Sequence, residues 1–263
     1  MYGDGDLAEG EVFTGGFCNF GYWETLPSSA ARAPRTAASA GLYRHVLHAL
    51  DVPEGGIDQA VEVGAGRGYG AAVALAEYPV RNVIAIDQST QQVRRLHEAQ
   101  RALVAQGRLD PREGDAASLP IETASVDALY SVEALQHFPS KSAFVGEAAR
   151  ILRPGGRIAL TTFFLTDARH FETLRTFIPT IDRGITLPSP IDDLVRDMEC
   201  SGFVDVHVQS IGDQVFPGFD RWLEIIGDKA AEEDSWGRNW LKCYQAGLID
   251  YHTIDASRSG NAA

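Results

Sequence analysis

A short apolar run, Ala60-Val61-Glu62-Val63, passes straight into Gly64-Ala65-Gly66-Arg67-Gly68, and an apolar helical pattern follows from about Tyr69 to Ala76. Few architectures accept a strand that turns at once into a helix through three glycines. Glycine lets the backbone turn sharply and approach a ligand with no side chain in the way. The arrangement predicts one βα unit of a parallel sheet, with the glycine loop at the carboxyl end of its strand, where open α/β sheets hold ligands.

Other apolar runs extend the pattern. NVIAID (82–87), VDALYSV (126–132), RIALTTFF (157–164), FVDVHVQSI (203–211) and LIDYHTI (248–254) have strand character. Between them, Ser89 to Leu103 opens with a Ser-Thr-Gln-Gln capping box and sets Val93, Leu96 and Leu103 along one face. Ser140 is placed to cap a second helix carrying Phe144, Val145, Ala148, Ile151 and Leu152, which Pro154-Gly155-Gly156 should stop. Strands alternating with helices give βαβ units, so the fold class is α/β with a parallel sheet. Residues 1–50 precede the first strand as a helical cover. Residues 51–263 form the main domain, with a Trp-rich helical lid insertion at about 213–247.

Charge narrows the ligand. The formal net charge is -13, and no basic run exceeds Arg94-Arg95. A protein that holds a phosphate backbone needs a basic face, so a small-molecule partner is expected rather than nucleic acid. No apolar run is long enough for a membrane span, and the start MYGDGDLAEGE is too acidic for a leader. Cys18, Cys200 and Cys243 stand far apart, which suits a reducing, cytoplasmic setting. The histidines at 45, 48, 97, 170, 207 and 252 show no ligand spacing, and no metal is expected. Nothing here decides the oligomeric state, and a homo-oligomer stays open.

Around the loop three acidic residues recur. A dinucleotide fingerprint wants a third glycine at position 69, which is Tyr. Glu62, two residues before the first glycine, would repel a pyrophosphate but suits an ammonium. Asp87 closes the next strand, where a carboxylate can accept both ribose hydroxyls; Ser89 is the better helix cap there. Asp115, in GDAASLP, is placed to accept from an adenine amino group or simply to form a Gly-Asp turn.

VEVGAGRG (61–68), AIDQS (85–89), GDAASLP (114–120), SVEALQHF (131–138) and LRPGGRIAL (152–160) occur in that order. The chain thereby resembles the class I S-adenosylmethionine-dependent methyltransferases over roughly residues 15 to 255. Phe17-Cys18-Asn19-Phe20-Gly21-Tyr22-Trp23 resembles the N-terminal segment of a bacterial natural-product subgroup. That subgroup includes sugar and polyketide O-methyltransferases, mitomycin-type enzymes and tocopherol methyltransferase-like relatives. The resemblance implies a Rossmann-like sheet of seven mostly parallel strands, with helices on both faces and helical lid elements. It implies S-adenosylmethionine as cofactor, with contacts from Tyr22, Glu62, Gly64, Gly66, Gly68, Asp87, Gln88, Asp115, Ala116 and Glu133. It further implies that Tyr22 and Trp23 close over the methionine end; the plainer role is pinning the N-terminus to the core.

An activated methyl needs only an acceptor held in line and dry, plus a base when that acceptor carries a proton. His137 follows the fourth strand and is the candidate base, or else a contact to the cofactor or to a backbone carbonyl. Glu133 lies four residues earlier and shares its face if the segment is helical. It would orient His137, bind the cofactor or stabilise a developing cation. Some sugar methyltransferases carry an Asp just inside the strand after LRPGG. This chain has Leu160-Thr161-Thr162-Phe163 there, and Asp167 is a weak substitute. Phe163, Phe164, Phe171, Phe177, Ile178, Phe216, Phe219, Trp222, Trp236, Trp240 and Tyr244 either cover a flat, greasy acceptor or form the core of the lid helices. The expected activity is methyl transfer to oxygen or nitrogen of a small, largely apolar metabolite. The alternatives are C-methylation of an isoprenoid or alkene, and a cyclase or cofactor-binding protein of the same fold.

Overall fold

Along the first strand, Ala60 packs to one side while Val61 and Val63 pack to the other, and the neighbouring strands repeat the alternation. One face of the sheet presents Ala60, Ala85, Ala128 and Ala159; the opposite face presents Ile84, Ile86, Leu129, Ile158 and Leu160. Both faces are apolar, so both must be covered by helices. On this face the helix that follows the glycine loop brings Ala71 and Ala74, while the helix that precedes the first strand brings Leu42, Val46 and Leu47.

The computed structural model describes residues 12–29, 31–227 and 236–260. The first residues of the N-terminal cover and the middle of the lid insertion therefore lie outside the described residues. After α1 (Arg32–Ala49) come β1 (Ile57–Val63), α2 (Tyr69–Glu77) and β2 (Val80–Asp87). They are followed by α3 (Thr90–Ala99), α4 (Arg101–Ala105), β3 (Leu109–Glu113) and β4 (Val126–Val132). Then come α5 (Lys141–Ile151), β5 (Leu152–Leu165), α6 (Phe171–Phe177) and α7 (Pro179–Asp182). The chain finishes with α8 (Ile191–Cys200), β6 (Phe203–Ser210), α9 (Gly212–Ile226), α10 (Trp236–Gln245) and β7 (Ile249–Arg258).

The sheet has seven strands in the order β3-β2-β1-β4-β5-β7-β6. All pair in parallel except β7, which runs antiparallel to β5 and β6. This is the class I Rossmann-like fold. The order reverses direction between β1 and β4, and the crevice at their carboxyl ends is where such a sheet binds ligands. Among the described residues no helix is long and apolar enough to cross a membrane.

Three local readings need correction. β3 has the sequence LDPRE, polar and interrupted by Pro111, and carries almost no strand signal. As the edge strand it needs only one ladder, which is where proline is tolerated. The helix expected over 89–103 breaks at Gln100 into α3 and α4, although Ser89 Oγ does cap it, accepting from Gln92 N at 3.3 Å. Strand β5 begins directly after α5, so Pro154-Gly155-Gly156 lies inside its irregular start rather than forming a separate stop.

Candidate active site

The loop between β1 and α2 is held in shape by sterics. Gly64 has φ +80°, and a Cβ there would lie 2.2 Å from the Ala134 Cβ. The amides of Gly64 and Ala65 donate to the Ile86 carbonyl at 2.8 and 3.0 Å, folding the loop across the end of β2. In the first turn of α2, a Cβ on Gly70 would lie 2.0 Å from Cε1 of Tyr43. α1 and α2 meet closely because that position is bare.

A cavity of about 440 Å³ opens beside this loop. Of the residues singled out from the sequence, Gly64, Gly66, Asp87, Gln88, Asp115, Ala116, Glu133 and His137 line it. Tyr22, Glu62 and Gly68 do not.

Tyr22 stacks on His45 with ring centroids 4.8 Å apart, and its amide donates to Ala38 O at 2.8 Å, so it belongs to the α1 side. Trp23 is buried and donates its indole N–H to Phe20 O at 2.9 Å, pinning the N-terminal segment to the core. Neither closes over the cavity; that segment reaches it through Gly16, Phe17 and Cys18 instead. Glu62 is fully buried beneath the loop, where it accepts from the Tyr130 hydroxyl at 3.3 Å. Burial pushes its pKa up to about 8, and it is a support for the loop rather than a wall of the cavity. Gly68, at the N-terminus of α2, backs onto Leu96 and shapes the turn from behind.

Asp87 ends β2. Its Oδ2 accepts the Gly66 amide and its Oδ1 the Ser89 amide, each at 2.9 Å. Burial raises its pKa while those two donors oppose the rise. The lone pairs not used by the backbone remain for a ligand diol. Asp115, on a separate stretch of the wall, takes the Ala117 amide on Oδ1 at 2.9 Å in a tight turn.

Glu133 follows the last residue of β4 with φ +48°, a left-handed backbone that a non-glycine residue holds at a cost of order 1 kcal/mol or more. Its Oε1 accepts the Phe20 amide at 2.6 Å and the Tyr251 hydroxyl at 2.8 Å. Burial raises its pKa to about 7 against these donors and the nearby Arg35. Residues 135–137 make a single 3-10 turn, so Glu133 and His137 do not stack on one helix face. They reach the cavity independently, one from a strand end and one from the turn.

His137 Nδ1 lies 2.9 Å from the Ile185 carbonyl oxygen. A carbonyl can only accept, so Nδ1 carries the hydrogen and Nε2 the lone pair. Gln136 Nε2 lies 3.3 Å from that lone pair and can donate to it. Burial, with Lys141 adding to it, lowers the His137 pKa and keeps the imidazole neutral. Asp167 plays no part here: it accepts the Arg169 amide at 2.8 Å at the surface, away from the cavity wall.

Several wall residues carry no motif signal. Tyr43 comes from α1, and Arg67 and Tyr69 from positions that any glycine loop leaves variable. Behind the wall, Tyr251 touches Glu133 because β7 inserts beside β5. Its inward direction could have been found from the alternation of LIDYHTI, and Tyr43 from the need of Gly70 to be bare.

The cavity carries Asp87, Asp115 and Glu133 against Arg67, an acid-rich lining beside bare glycine backbone. That donor set fits a cationic nucleoside carrying a sulfonium and an ammonium, and fits a pyrophosphate poorly.

Comparison with known proteins agrees. Residues 61–160 match the model of a methyltransferase domain. The chain is 27% identical to the erythromycin 3''-O-methyltransferase of Saccharopolyspora erythraea over 82% of its own length and 71% of that protein's. Among solved structures it is similar to geranyl diphosphate methyltransferase in complex with SAM, with TM-score 0.75 and 16% identity over 92% of this chain and 98% of that one. It is also similar to the [4+2]-cyclase SpnF, with TM-score 0.72 and 20% identity over 94% and 89% of the two chains. The two structural likenesses concern the fold alone.

Proposed function

We propose that this chain, an S-adenosylmethionine-dependent methyltransferase of class I fold, methylates an oxygen or nitrogen of a small, largely apolar secondary metabolite. The observation that carries this reading is the state of His137. It stands in the cavity wall with its Nδ1 hydrogen committed to Ile185 O, which makes Nε2, beside the Gln136 amide, its basic atom. Such a group takes the proton that a hydroxyl, phenol or protonated amine releases as it is methylated.

The bound cofactor supplies an electrophilic methyl that needs no further activation. The chain's own residues bind, orient and keep out water. In this reading Gly64 and Gly66 face the amino-acid portion, Asp87 the ribose and Asp115 with Ala116 the adenine. Residues 1–50 and the insertion at about 213–247 serve as covers that select the acceptor. The -13 net charge supports a free small molecule over nucleic acid, and the reading assigns the protein to the cytoplasm.

A second reading has one observation in its favour. Glu133 is a carboxylate held by the Tyr251 hydroxyl and the Phe20 amide at a cavity wall, suited to steadying a cation during C-methylation of an alkene. Product analysis after incubation with labelled cofactor and phenolic, amine, sugar and prenyl acceptors separates the two. Label on oxygen or nitrogen, lost in His137→Ala, supports the first reading. Label on carbon, lost in Glu133→Gln and retained in His137→Ala, replaces it with the second.

A further inference from the structure

Behind Glu133, which lines the cavity, lies an aromatic cluster. Phe20, whose amide meets the Glu133 carboxylate, stacks on Phe219 at 4.4 Å and tilts against Trp240 at 5.4 Å. Trp240 in turn lies 4.6 Å from Phe163, which pairs with Tyr251 in the β5–β7 ladder. None of Phe20, Phe163 and Trp240 lines the cavity, and their rings pack on one another.

The cluster contains an irregularity. Trp240 is only 4% exposed, and its indole Nε1 has no hydrogen-bond partner. Leaving a buried donor unmade is costly, and tryptophan buried in a core normally finds a partner for this group. The surrounding rings of Phe20 and Phe163 can offer no acceptor atom. The donor is therefore available to a group that enters the cluster.

We infer that Trp240 is a specificity residue: the acceptor enters between Phe20, Phe163 and Trp240, and the Trp240 indole N–H donates to an oxygen that the acceptor carries. The inference rests on the methyl-transfer reading above. It narrows the acceptor to an apolar, flat or extended body bearing a carbonyl, ether or hydroxyl oxygen away from the atom that is methylated. A pure hydrocarbon would leave the N–H as it is now, and a strongly charged compound would have no partner among these rings.

The test uses a matched pair of probes, methyl naphthyl ketone and isopropenylnaphthalene, which share a shape and differ in the carbonyl oxygen. Both are titrated into the full-length protein, with and without S-adenosylhomocysteine, using wild type, Trp240→Phe and Trp222→Phe. Trp222 has an indole N–H that is also buried and unpartnered but makes none of these cluster contacts, so it serves as the control. The expected result is about tenfold tighter binding of the ketone by wild type. That ratio should fall to near one in Trp240→Phe and persist in Trp222→Phe. An unchanged ratio in Trp240→Phe overturns the assignment, as does failure of both probes to bind the wild-type protein. Loss of S-adenosylhomocysteine binding alone counts against the methyl-transfer reading, while the ketone ratio still decides the role of Trp240.

Discussion

Tyr251, on the antiparallel strand β7, donates its hydroxyl to Glu133 Oε1 across 2.8 Å, tying that strand to the residue that ends β4. The same oxygen takes the Phe20 amide, so one carboxylate fastens the N-terminal segment and the last strand together. The proton state of Glu133 consequently bears on how firmly the cover is held.

Two buried carboxyls make stability depend on pH in an unusual direction. Glu62 is raised to about 8 and Glu133 to about 7, each from 4.5, chiefly by burial. Both bind protons more tightly when folded than when unfolded, so the native state holds the extra protons through that window. Stability then falls as pH rises from about 4.5 to 8. Glu62→Gln should flatten the slope and raise stability at the alkaline end by on the order of 1–3 kcal/mol. Denaturant melts of the cofactor-free protein at several pH values read this directly, and an unaltered slope in the variant would contradict it.

Replacing His137 by Ala should lower kcat by about 10²–10⁴-fold if it is the base. Because burial holds its pKa below 6.5, wild-type kcat should climb with pH through that acidic region and then level off. The variant should lack that acidic limb. Equal kcat and an identical pH profile in both proteins would remove His137 from the mechanism.

Asp87→Ala deletes the acceptor for the Gly66 and Ser89 amides together with the proposed ribose contact. Calorimetric affinity for S-adenosylhomocysteine should weaken by roughly 10- to 100-fold, while far-UV dichroism stays that of the folded protein. Micromolar binding preserved in the variant would mean the nucleoside sits elsewhere.

Gly70→Ala should destabilise by about 1–3 kcal/mol, since its new methyl meets the Tyr43 ring at 2.0 Å. Adding Tyr43→Ala should recover much of that loss, giving a coupling energy between the two sites. Additive penalties in the double variant would show that the clash is relieved by some other movement.

The glycine loop, Asp87 and Asp115 were legible because each sits at a strand end whose chemistry is local. The alternation of apolar strands and helices likewise announces a parallel sheet. β3 was illegible because an edge strand can be polar and contain Pro111, and its identity comes only from the β2 ladder. The side to which Tyr22 turns is not legible because the neighbours that decide it, His45 and Ala38, lie on a helix further along the chain. Glu133 and His137 both line the cavity, but they do not share a helix face. A left-handed residue followed by a 3-10 turn leaves no periodic trace.

The helices α9 and α10 leave and rejoin the sheet at adjacent points. Ser210 pairs with His252, and the Ile211 amide donates to Tyr251 O at 2.8 Å, so the ends of the excursion are already clasped by two neighbouring antiparallel strands. An insertion whose ends are pre-joined adds little closure entropy as its length changes. The segment between Ile211 and Leu248 is thus a natural cassette. A chimaera carrying another enzyme's insertion at these two positions should fold on the same sheet and keep the same cofactor affinity, with its choice of acceptor arriving with the transplant.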